Sequence, residues 1–113
     1  MIKIYGIKNC DTMKKAFKWL EAQGIAYEFH DYKKQGADAD VVRAAIKVHG
    51  WETVINRRGT TWRNLPDDVK ESMNAERAIE VAQQNPSLIK RPLLVKDDEI
   101  ILGFKPEIYS AHL

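Results

Sequence analysis

The spacing of the hydrophobic residues changes twice in the first third of the chain. The segment MIKIYGI is rich in residues of high β-propensity and predicts a first strand that ends near Gly6. Between about Asp11 and Ala22 the apolar side chains recur with helical spacing, at Met13, Ala16, Phe17 and Leu20. Apolar and polar residues then alternate in IAYEFHDY, which predicts a second strand. A strand, a helix and a strand in this order form a βαβ unit, so we expect the two strands to be parallel.

The middle of the chain has a mostly helical pattern, which follows a polar, turn-like KKQGAD segment. Within the range from Asp38 to Ala82, one apolar helix face is formed by Val42, Ala45 and Ile46. The segment AERAIEVAQQ carries another such face, formed by Ala75, Ala78, Ile79 and Ala82. Asn74, directly before this segment, is the expected N-cap. Between these helices, NRRGTTWRNLP predicts an ordered loop with short helical pieces.

The last quarter of the chain returns to strand patterns. Two apolar runs in LLVKDDEIIL flank Asp97 and Asp98 and predict a β-hairpin. Pro106 suits the first turn of a short terminal helix. The element order is therefore β-α-β, a helical segment and β-β-α, which predicts an α/β fold with one mixed sheet of about four strands. We expect a single domain over residues 1–113, with the helical insertion at about 34–90.

The composition is that of an ordinary globular protein, because 44% of the 113 residues are apolar and 30% are charged. The formal net charge of +2 provides no strong basic field, so we do not expect nucleic-acid binding. No apolar run approaches the roughly 20 residues that a membrane span needs. The N-terminus lacks the apolar stretch of a signal peptide. A single cysteine cannot form an intrachain disulfide, so we expect a reducing, cytoplasmic setting.

That single cysteine, Cys10, falls at the predicted junction of the first strand and the first helix. The N-terminus of a helix offers free backbone N–H groups and a partial positive charge, and both stabilise a thiolate. Lys8, Lys14 and Lys15 would strengthen this field if their side chains turned inward. The alternative is that Cys10 simply packs as a small hydrophobic residue. Its position at the junction favours a reactive thiol.

The two residues after the cysteine suggest a different, structural role. Asp11 or Thr12 is expected to cap the first helix. A carboxylate at position 11 would also raise the pKa of the neighbouring thiol by like-charge repulsion.

Two arginine-containing segments are the other candidates for chemistry. Arg57 and Arg58 precede GTTW, and Arg91 lies between the apolar SLI and LLV runs, directly before Pro92. A guanidinium is a planar fork of donors that suits carboxylates and oxyanions. Between two buried runs, Arg91 must either extend to solvent or face a cleft. The three histidines are far apart and lack metal-ligand spacing, so no metal site is predicted.

Four segments of the sequence, taken together, resemble a known family. YGIKNCDTMKKAFKWL, VINRRGTTWR, SLIKRPLLV and GFKPE are similar to the arsenate reductase (ArsC) family and its Spx relatives, above all to the small bacterial YffB-like subgroup. The resemblance extends in order over essentially the whole chain. It implies a thioredoxin-like fold with an inserted helical region and a cis peptide bond before Pro92, which is affordable only at proline.

The resemblance also implies roles for individual residues. In the family a cysteine attacks an oxyanion or a mixed disulfide, and arginines from three segments hold the anion. The implied catalytic set is Cys10, Arg57, Arg91 and Lys105, where Lys105 replaces the third family arginine and lacks its planar fork. The implied substrate- or glutathione-binding set is Asn9, Asp11, Thr12, Arg57, Arg91 and Pro92. Met13 stands where Spx-type redox switches have a second cysteine, so a CxxC switch is excluded.

A lone cysteine cannot resolve its own adduct, so an external thiol must do so, and glutathione is the natural candidate. We therefore expect a glutathione-dependent thiol reductase of arsenate-reductase type, with no bound cofactor and with glutathione as co-substrate. Its expected partners are glutathione, with glutaredoxin as a further candidate, and a small oxyanion or disulfide substrate. We expect a monomer without membrane association. The alternatives are a non-catalytic, Spx-like regulator that binds RNA polymerase and a structural protein with a buried Cys10.

Overall fold

The structure, a computed structural model, describes residues 1–113. Its four strands are β1 (Ile2–Gly6), β2 (Tyr27–Asp31), β3 (Leu93–Lys96) and β4 (Glu99–Leu102). The helices are α1 (Asp11–Ala22), α2 (Tyr32–Gln35), α3 (Ala39–His49), α4 (Trp51–Val54), α5 (Thr60–Arg63), α6 (Asp67–Glu71), α7 (Ala75–Gln84) and α8 (Pro106–His112). One turn of 3-10 helix, Pro86–Leu88, precedes β3.

The four strands form one mixed sheet in the order β2-β1-β3-β4. Strands β1 and β2 are parallel, whereas β3 is antiparallel to both β1 and β4. The parallel βαβ unit, the hairpin and the terminal helix all lie where the hydrophobic pattern predicts them. The predicted α/β, thioredoxin-like fold is thus confirmed.

The chain divides into two compact units. Residues 1–35 and 91–113 form the sheet unit, which contains all four strands, and residues 36–90 form the helical unit. The single domain predicted over residues 1–113, with its insertion at about 34–90, stays a prediction.

Helix α1 packs on the sheet unit through the face that its sequence pattern predicts. Met13, Ala16 and Leu20 are fully buried. They belong to a core that also contains Ile2, Ile4, Leu94, Ile101 and Tyr109. The approach of helix and strand is close, because a Cβ atom at Gly6 would lie 2.5 Å from Met13 Sδ. This packing determines where the segment between β1 and α1 sits.

The helical unit is built around α3 and α7. The predicted apolar face of α3 is buried. In α7, Ala78, Ile79 and Ala82 are buried as predicted, but Ala75, the first residue of the helix, is exposed and Val81 is buried instead. Asn74 caps α7 as expected, since its side-chain Oδ1 accepts a hydrogen bond of 2.8 Å from Arg77 N. An isolated β-bridge joins Ile55 to Ile89. It is flanked by hydrogen bonds from Asn56 N to Leu88 O (2.7 Å) and from Lys90 N to Val54 O (2.8 Å). The loop after α4 therefore starts from a firmly attached residue.

The main departure from the predicted elements is at the end of β2. The polar KKQGAD segment is predicted to be a turn, but its first three residues belong to the helical turn α2. Asp31 Oδ1 accepts a hydrogen bond of 3.0 Å from Lys33 N, which starts the turn, and Gly36, with φ of 71°, follows it. Burial of the Tyr32 side chain, which is 4% exposed, gives this turn a tertiary anchor that the polar pattern does not indicate.

Candidate active site

Cys10 is the N-cap residue of α1, directly between strand β1 and the helix. Its carbonyl oxygen accepts the first helical hydrogen bond, from Lys14 N at 3.0 Å. No side-chain oxygen caps this helix, and Asp11 is its first helical residue. The expectation that Asp11 or Thr12 caps the helix is therefore wrong. Because no side-chain oxygen takes up the first N–H groups, they remain available to the cysteine sulfur.

The surroundings of Cys10 favour its thiolate. Partial burial by itself raises the pKa of the thiol, because a charged sulfur is poorly solvated there. Hydrogen bonds from the backbone N–H groups of Met13 and Thr12 and from the Arg91 side chain lower the pKa, and so does the positive charge of Arg91. The net result is a pKa below the ordinary value of a cysteine. This is the condition for a nucleophilic thiol near neutral pH.

The charged neighbours of Cys10 in the sequence have little part in this effect. The side chains of Lys8, Asp11, Lys14 and Lys15 are all exposed. None of them is among the groups that dominate the pKa of the thiol. Solvent screening explains why: an exposed charge acts weakly even on a near neighbour. Asp11 was expected to raise the pKa of the thiol, and the lysines were expected to lower it. Backbone N–H groups and Arg91 have the larger effect on this pKa instead.

Arg91 is brought to Cys10 by the sheet. It precedes β3, and β3 pairs with β1 so that Leu93 faces Tyr5. The start of β3 therefore adjoins the end of β1, which the cysteine follows. The peptide bond between Arg91 and Pro92 is cis, as the family resemblance implies. Pro92 is buried, and its carbonyl oxygen accepts a hydrogen bond of 2.8 Å from Gly103 N. Arg91 itself is half-buried, and its guanidinium is among the groups that lower the pKa of the thiol.

The remaining predicted residues of the sheet unit are less engaged. Asn9 is exposed, and Lys105 is exposed at the N-cap of α8. Phe104, directly before Lys105, packs against the same core cluster as Cys10. Lys105 is not among the groups that dominate the pKa of Cys10. Lys105 therefore does not activate the cysteine by lowering its pKa. Its predicted role concerns the substrate.

Arg57 belongs to the helical unit. Its side chain is exposed, and its guanidinium carbon lies 5.6 Å from the centroid of the Trp51 ring, a cation–π distance. Trp51 in turn stacks on Trp62, with ring centroids 6.4 Å apart. The next residue is held by a 3.1 Å hydrogen bond from Arg58 N to Asn56 Oδ1. The loop that carries Arg57 is thus held by the stacked Trp51 and Trp62 rings and by this hydrogen bond.

The sequence reading missed one polar residue of the sheet unit, Tyr32. Its side chain is buried, its hydroxyl has no hydrogen-bond partner in the protein, and its phenol interacts electrostatically with Tyr5 and Arg91. A usable signal was present. Tyr32 directly follows β2, and the carboxyl ends of parallel strands share one edge of a sheet, where functional groups collect. Cys10 follows β1 at this same edge.

Two further observations concern the whole chain. No group of three or more histidine, cysteine, aspartate or glutamate side chains is placed to hold a metal ion. None of the helices combines the length and the apolar character needed to cross a membrane.

The sequence model of the ArsC family matches residues 5–112 of this chain. An uncharacterized protein of Haemophilus influenzae is 45% identical over 98% of this chain and 97% of its own length. The global transcriptional regulator Spx of Listeria monocytogenes is 24% identical over 95% of this chain and 82% of its own length. Both alignments span nearly the whole chain, as the four-segment resemblance predicts.

Two solved structures are similar to this one and share about half of its sequence. The YFFB (PA3664) protein has a TM-score of 0.95 and 47% identity, over 98% of this chain and 97% of that protein. A protein of Brucella melitensis described as related to arsenate reductase (ArsC) has a TM-score of 0.76 and 51% identity, over 98% and 92% of the two chains. The predicted likeness to the YffB-like subgroup is confirmed.

Proposed function

The chain belongs to the ArsC family, and from this premise we propose that it is a glutathione-dependent thiol reductase of arsenate-reductase type. The fold supports thiol-dependent reduction in general terms. The observation that carries the proposal is the pairing of Cys10 with Arg91 at the start of α1, where the pKa of the thiol is lowered. A thiolate beside a guanidinium is suited to attack a substrate that carries negative charge.

In the proposed reaction on a mixed disulfide, the Cys10 thiolate attacks one sulfur atom and the other leaves as a thiolate. Cys10 is then part of a new mixed disulfide. A glutathione thiolate attacks the non-protein sulfur, which forms a small disulfide and restores the Cys10 thiolate. With arsenate, two external thiols would supply the two electrons, and the products would be arsenite, one disulfide and water. The chain has no second cysteine, so in both reactions every thiol other than Cys10 belongs to another molecule.

The other residues have supporting roles in this proposal. Arg91, Arg57 and Lys105 hold the anionic groups of the substrate, and the backbone around Pro92 lies against the bound sulfur. Asn9, Asp11 and Thr12 line the glutathione side. Since glutathione is abundant in reducing compartments, we propose a cytoplasmic location, with glutathione as co-substrate and glutaredoxin as a candidate partner for adduct removal.

Mass spectrometry after incubation with oxidised glutathione, together with a glutathione-coupled turnover assay, tests the proposal. We expect a single glutathionyl adduct on Cys10, removed by reduced glutathione, and the loss of at least about a thousandfold in turnover for Cys10→Ser, as for other nucleophile deletions. The double variant Cys10→Ser/Ser110→Cys is a matched control, because it keeps one thiol but moves it to an exposed position of α8. Its turnover should stay at the level of the single variant. Full activity in Cys10→Ser would refute the proposal.

The match to Spx over 95% of the chain favours one second candidate, a regulator that binds RNA polymerase and does not turn over a substrate. A pull-down with the purified polymerase α subunit distinguishes the two. Specific capture of the α subunit, together with an absence of turnover, would favour the regulator. Turnover without capture would favour the reductase.

A further inference from the structure

Two buried tyrosines of the sheet unit differ in one respect. Tyr109 is fully buried, and its hydroxyl donates a hydrogen bond of 3.0 Å to the Gly103 carbonyl oxygen. Tyr32 is 4% exposed, yet its hydroxyl has no hydrogen-bond partner in the protein. A buried hydroxyl without a partner is costly, and a phenylalanine would fill the same space without that cost. The hydroxyl of Tyr109 is explained by the fold, whereas that of Tyr32 is not.

The position of Tyr32 places it at the edge of the sheet that carries the candidate site. It follows β2 at the same edge of the sheet from which Cys10 follows β1. Its ring lies against that of Tyr5, with centroids 6.5 Å apart, and Tyr5 stacks on His30 at 4.6 Å. Tyr5 faces Leu93, two residues after Arg91, in the β1–β3 ladder. The aromatic contact and the strand register therefore bring Tyr32 towards the segment that carries Arg91.

Electrostatics agree with this placement. Burial raises the pKa of Tyr32 well above its ordinary range, the nearby Tyr5 raises it further, and the positive charge of Arg91 opposes both. The phenol is therefore protonated at every physiological pH and remains a hydrogen-bond donor. Arg91 acts on both groups, since it also donates a hydrogen bond to the Cys10 sulfur. A buried neutral donor and a cation that acts on both the phenol and the thiol form a suitable pair for an anion.

We propose that Tyr32 is a substrate-binding residue whose hydroxyl donates a hydrogen bond to the oxyanion or carboxylate that Arg91 holds beside Cys10. This inference rests on the proposed function, because it assigns the same site a recognition element for anionic groups. Two ligands present this chemistry, the oxyanion of arsenate and a carboxylate of a glutathionyl substrate.

Alkylation of Cys10 by two small reagents tests this without relying on turnover. Iodoacetate and iodoacetamide react with the same thiolate, but only iodoacetate carries a carboxylate. In Tyr32→Phe, which removes the hydroxyl alone, we expect the ratio of the iodoacetate rate to the iodoacetamide rate to fall about tenfold, the effect of one hydrogen bond to a charged group. The iodoacetamide rate and its pH profile should change little. Tyr109→Phe is the matched control, and its ratio should equal that of the unmodified protein.

Thermal unfolding separates a binding role from a structural one. Tyr32→Phe should unfold at the same or a higher temperature than the unmodified protein, because no hydrogen bond within the protein is lost. Tyr109→Phe should unfold at a lower temperature, because the Gly103 carbonyl loses its donor. An unchanged rate ratio in Tyr32→Phe, or a marked fall in its unfolding temperature, would overturn the inference.

Turnover assays then distinguish the failure of this inference from the failure of the proposed function. With arsenate and with the mixed disulfide of glutathione and 2-mercaptoethanol as separate substrates, and reduced glutathione as the reductant, Tyr32→Phe should raise KM for at least one of them and leave kcat nearly unchanged. The substrate with the larger change identifies the source of the anion. If the protein turns over neither substrate but the alkylation ratio still depends on Tyr32, the anion site stands and the reductase assignment fails. If turnover occurs and Tyr32→Phe changes neither KM nor the ratio, the reductase stands and the role of Tyr32 is rejected.

Discussion

Arg91 in the sheet unit and Arg57 in the helical unit are the same residue type in opposite surroundings. Arg91 is half-buried, precedes a buried proline and donates a hydrogen bond to the Cys10 sulfur. Arg57 is exposed and lies over the Trp51 ring at 5.6 Å, within a loop attached to residues 86–90. The first guanidinium takes part in setting the pKa of the nucleophile. The second contacts a neutral aromatic ring, which leaves its positive charge in place.

Both arginines are predicted to hold the anion, but their surroundings give them different expected effects on the reaction. A guanidinium that touches the thiol affects reactivity towards every electrophile, charged or neutral. A guanidinium held only on an aromatic ring affects only substrates that carry negative charge. Alanine replacements should therefore separate the two arginines by the kind of kinetic change and not only by its size.

Apart from Cys10→Ser, the largest expected effect is that of Arg91→Ala. We expect kcat/KM for an anionic substrate to fall about 10- to 100-fold, because a hydrogen bond to a charged group contributes about 1.5–3 kcal/mol. Removal of the cation also raises the pKa of Cys10, which lowers the thiolate fraction at neutral pH. The rate of alkylation by iodoacetamide, measured from pH 5 to 10, should therefore reach its midpoint at a higher pH.

Arg57→Ala is the control for that experiment. Its iodoacetamide profile should coincide with that of the unmodified protein, while KM for the anionic substrate rises. Coincident profiles for both variants would mean that Arg91 does not tune the thiol. A shifted profile in Arg57→Ala would remove the distinction between the two arginines.

The sheet unit near Cys10 and the loop of Arg57 should also differ in how well they tolerate an added methyl group. Two glycine-to-alanine substitutions measure this difference. An alanine at Gly6 would place its Cβ 2.5 Å from Met13 Sδ in the fully buried core. We expect Gly6→Ala to lower the free energy of unfolding by about 1–3 kcal/mol, the usual cost of overpacking. An alanine at Gly59 would meet Asn56 Nδ2 at 3.1 Å in the loop of Arg57, with ordinary backbone dihedral angles. Because this side chain can move slightly, we expect less than about 0.5 kcal/mol.

Urea denaturation measures both glycine variants, and a double-mutant cycle identifies the cause. In a Met13→Ala background the alanine at Gly6 has room, so its cost should shrink markedly. An equal cost in both backgrounds would show that the steric explanation is incorrect.

A smaller effect is expected where Lys105 replaces the third family arginine. Lys105→Arg adds a planar fork to an exposed helix cap, and one additional hydrogen bond of about 1 kcal/mol would raise kcat/KM for arsenate about fivefold. Lys105→Gln removes the charge and should lower it. Since Lys105 does not set the pKa of the thiol, neither variant should change the iodoacetamide profile. A changed profile would group Lys105 with Arg91 instead of Arg57.

The smallest expected effect is that of Trp51→Leu, which removes the ring under Arg57. An exposed cation–π contact contributes about 0.5–1 kcal/mol, so KM for an anionic substrate should rise about two- to fivefold while kcat stays constant. Trp51→Tyr should restore part of the affinity. In an Arg57→Ala background the loss of the ring should have no further effect, and an additive loss there would contradict a positioning role for Trp51.

The sequence alone was sufficient for much of the fold and for the position of Cys10. The helical spacing of Met13, Ala16 and Leu20 predicted α1 and its buried face, and the strand-to-helix junction located Cys10 at the N-terminus of that helix. Local patterns succeed here because helix and strand periodicity are properties of consecutive residues. The same local reasoning was wrong about the cap, since Asp11 and Thr12 are common capping types but the sulfur residue itself occupies that position.

The sequence by itself determined the order of elements, the presence of one thiol without an internal partner, and the family. Only the tertiary structure decided that Arg91, and not the neighbouring lysines, touches that thiol, and that the Tyr32 hydroxyl is buried without a partner. The reason is physical: hydrogen bonding and desolvation depend on through-space distance, and here the register between β1 and β3 and the burial of the Tyr32 side chain set those distances. Proximity along the chain does not determine either.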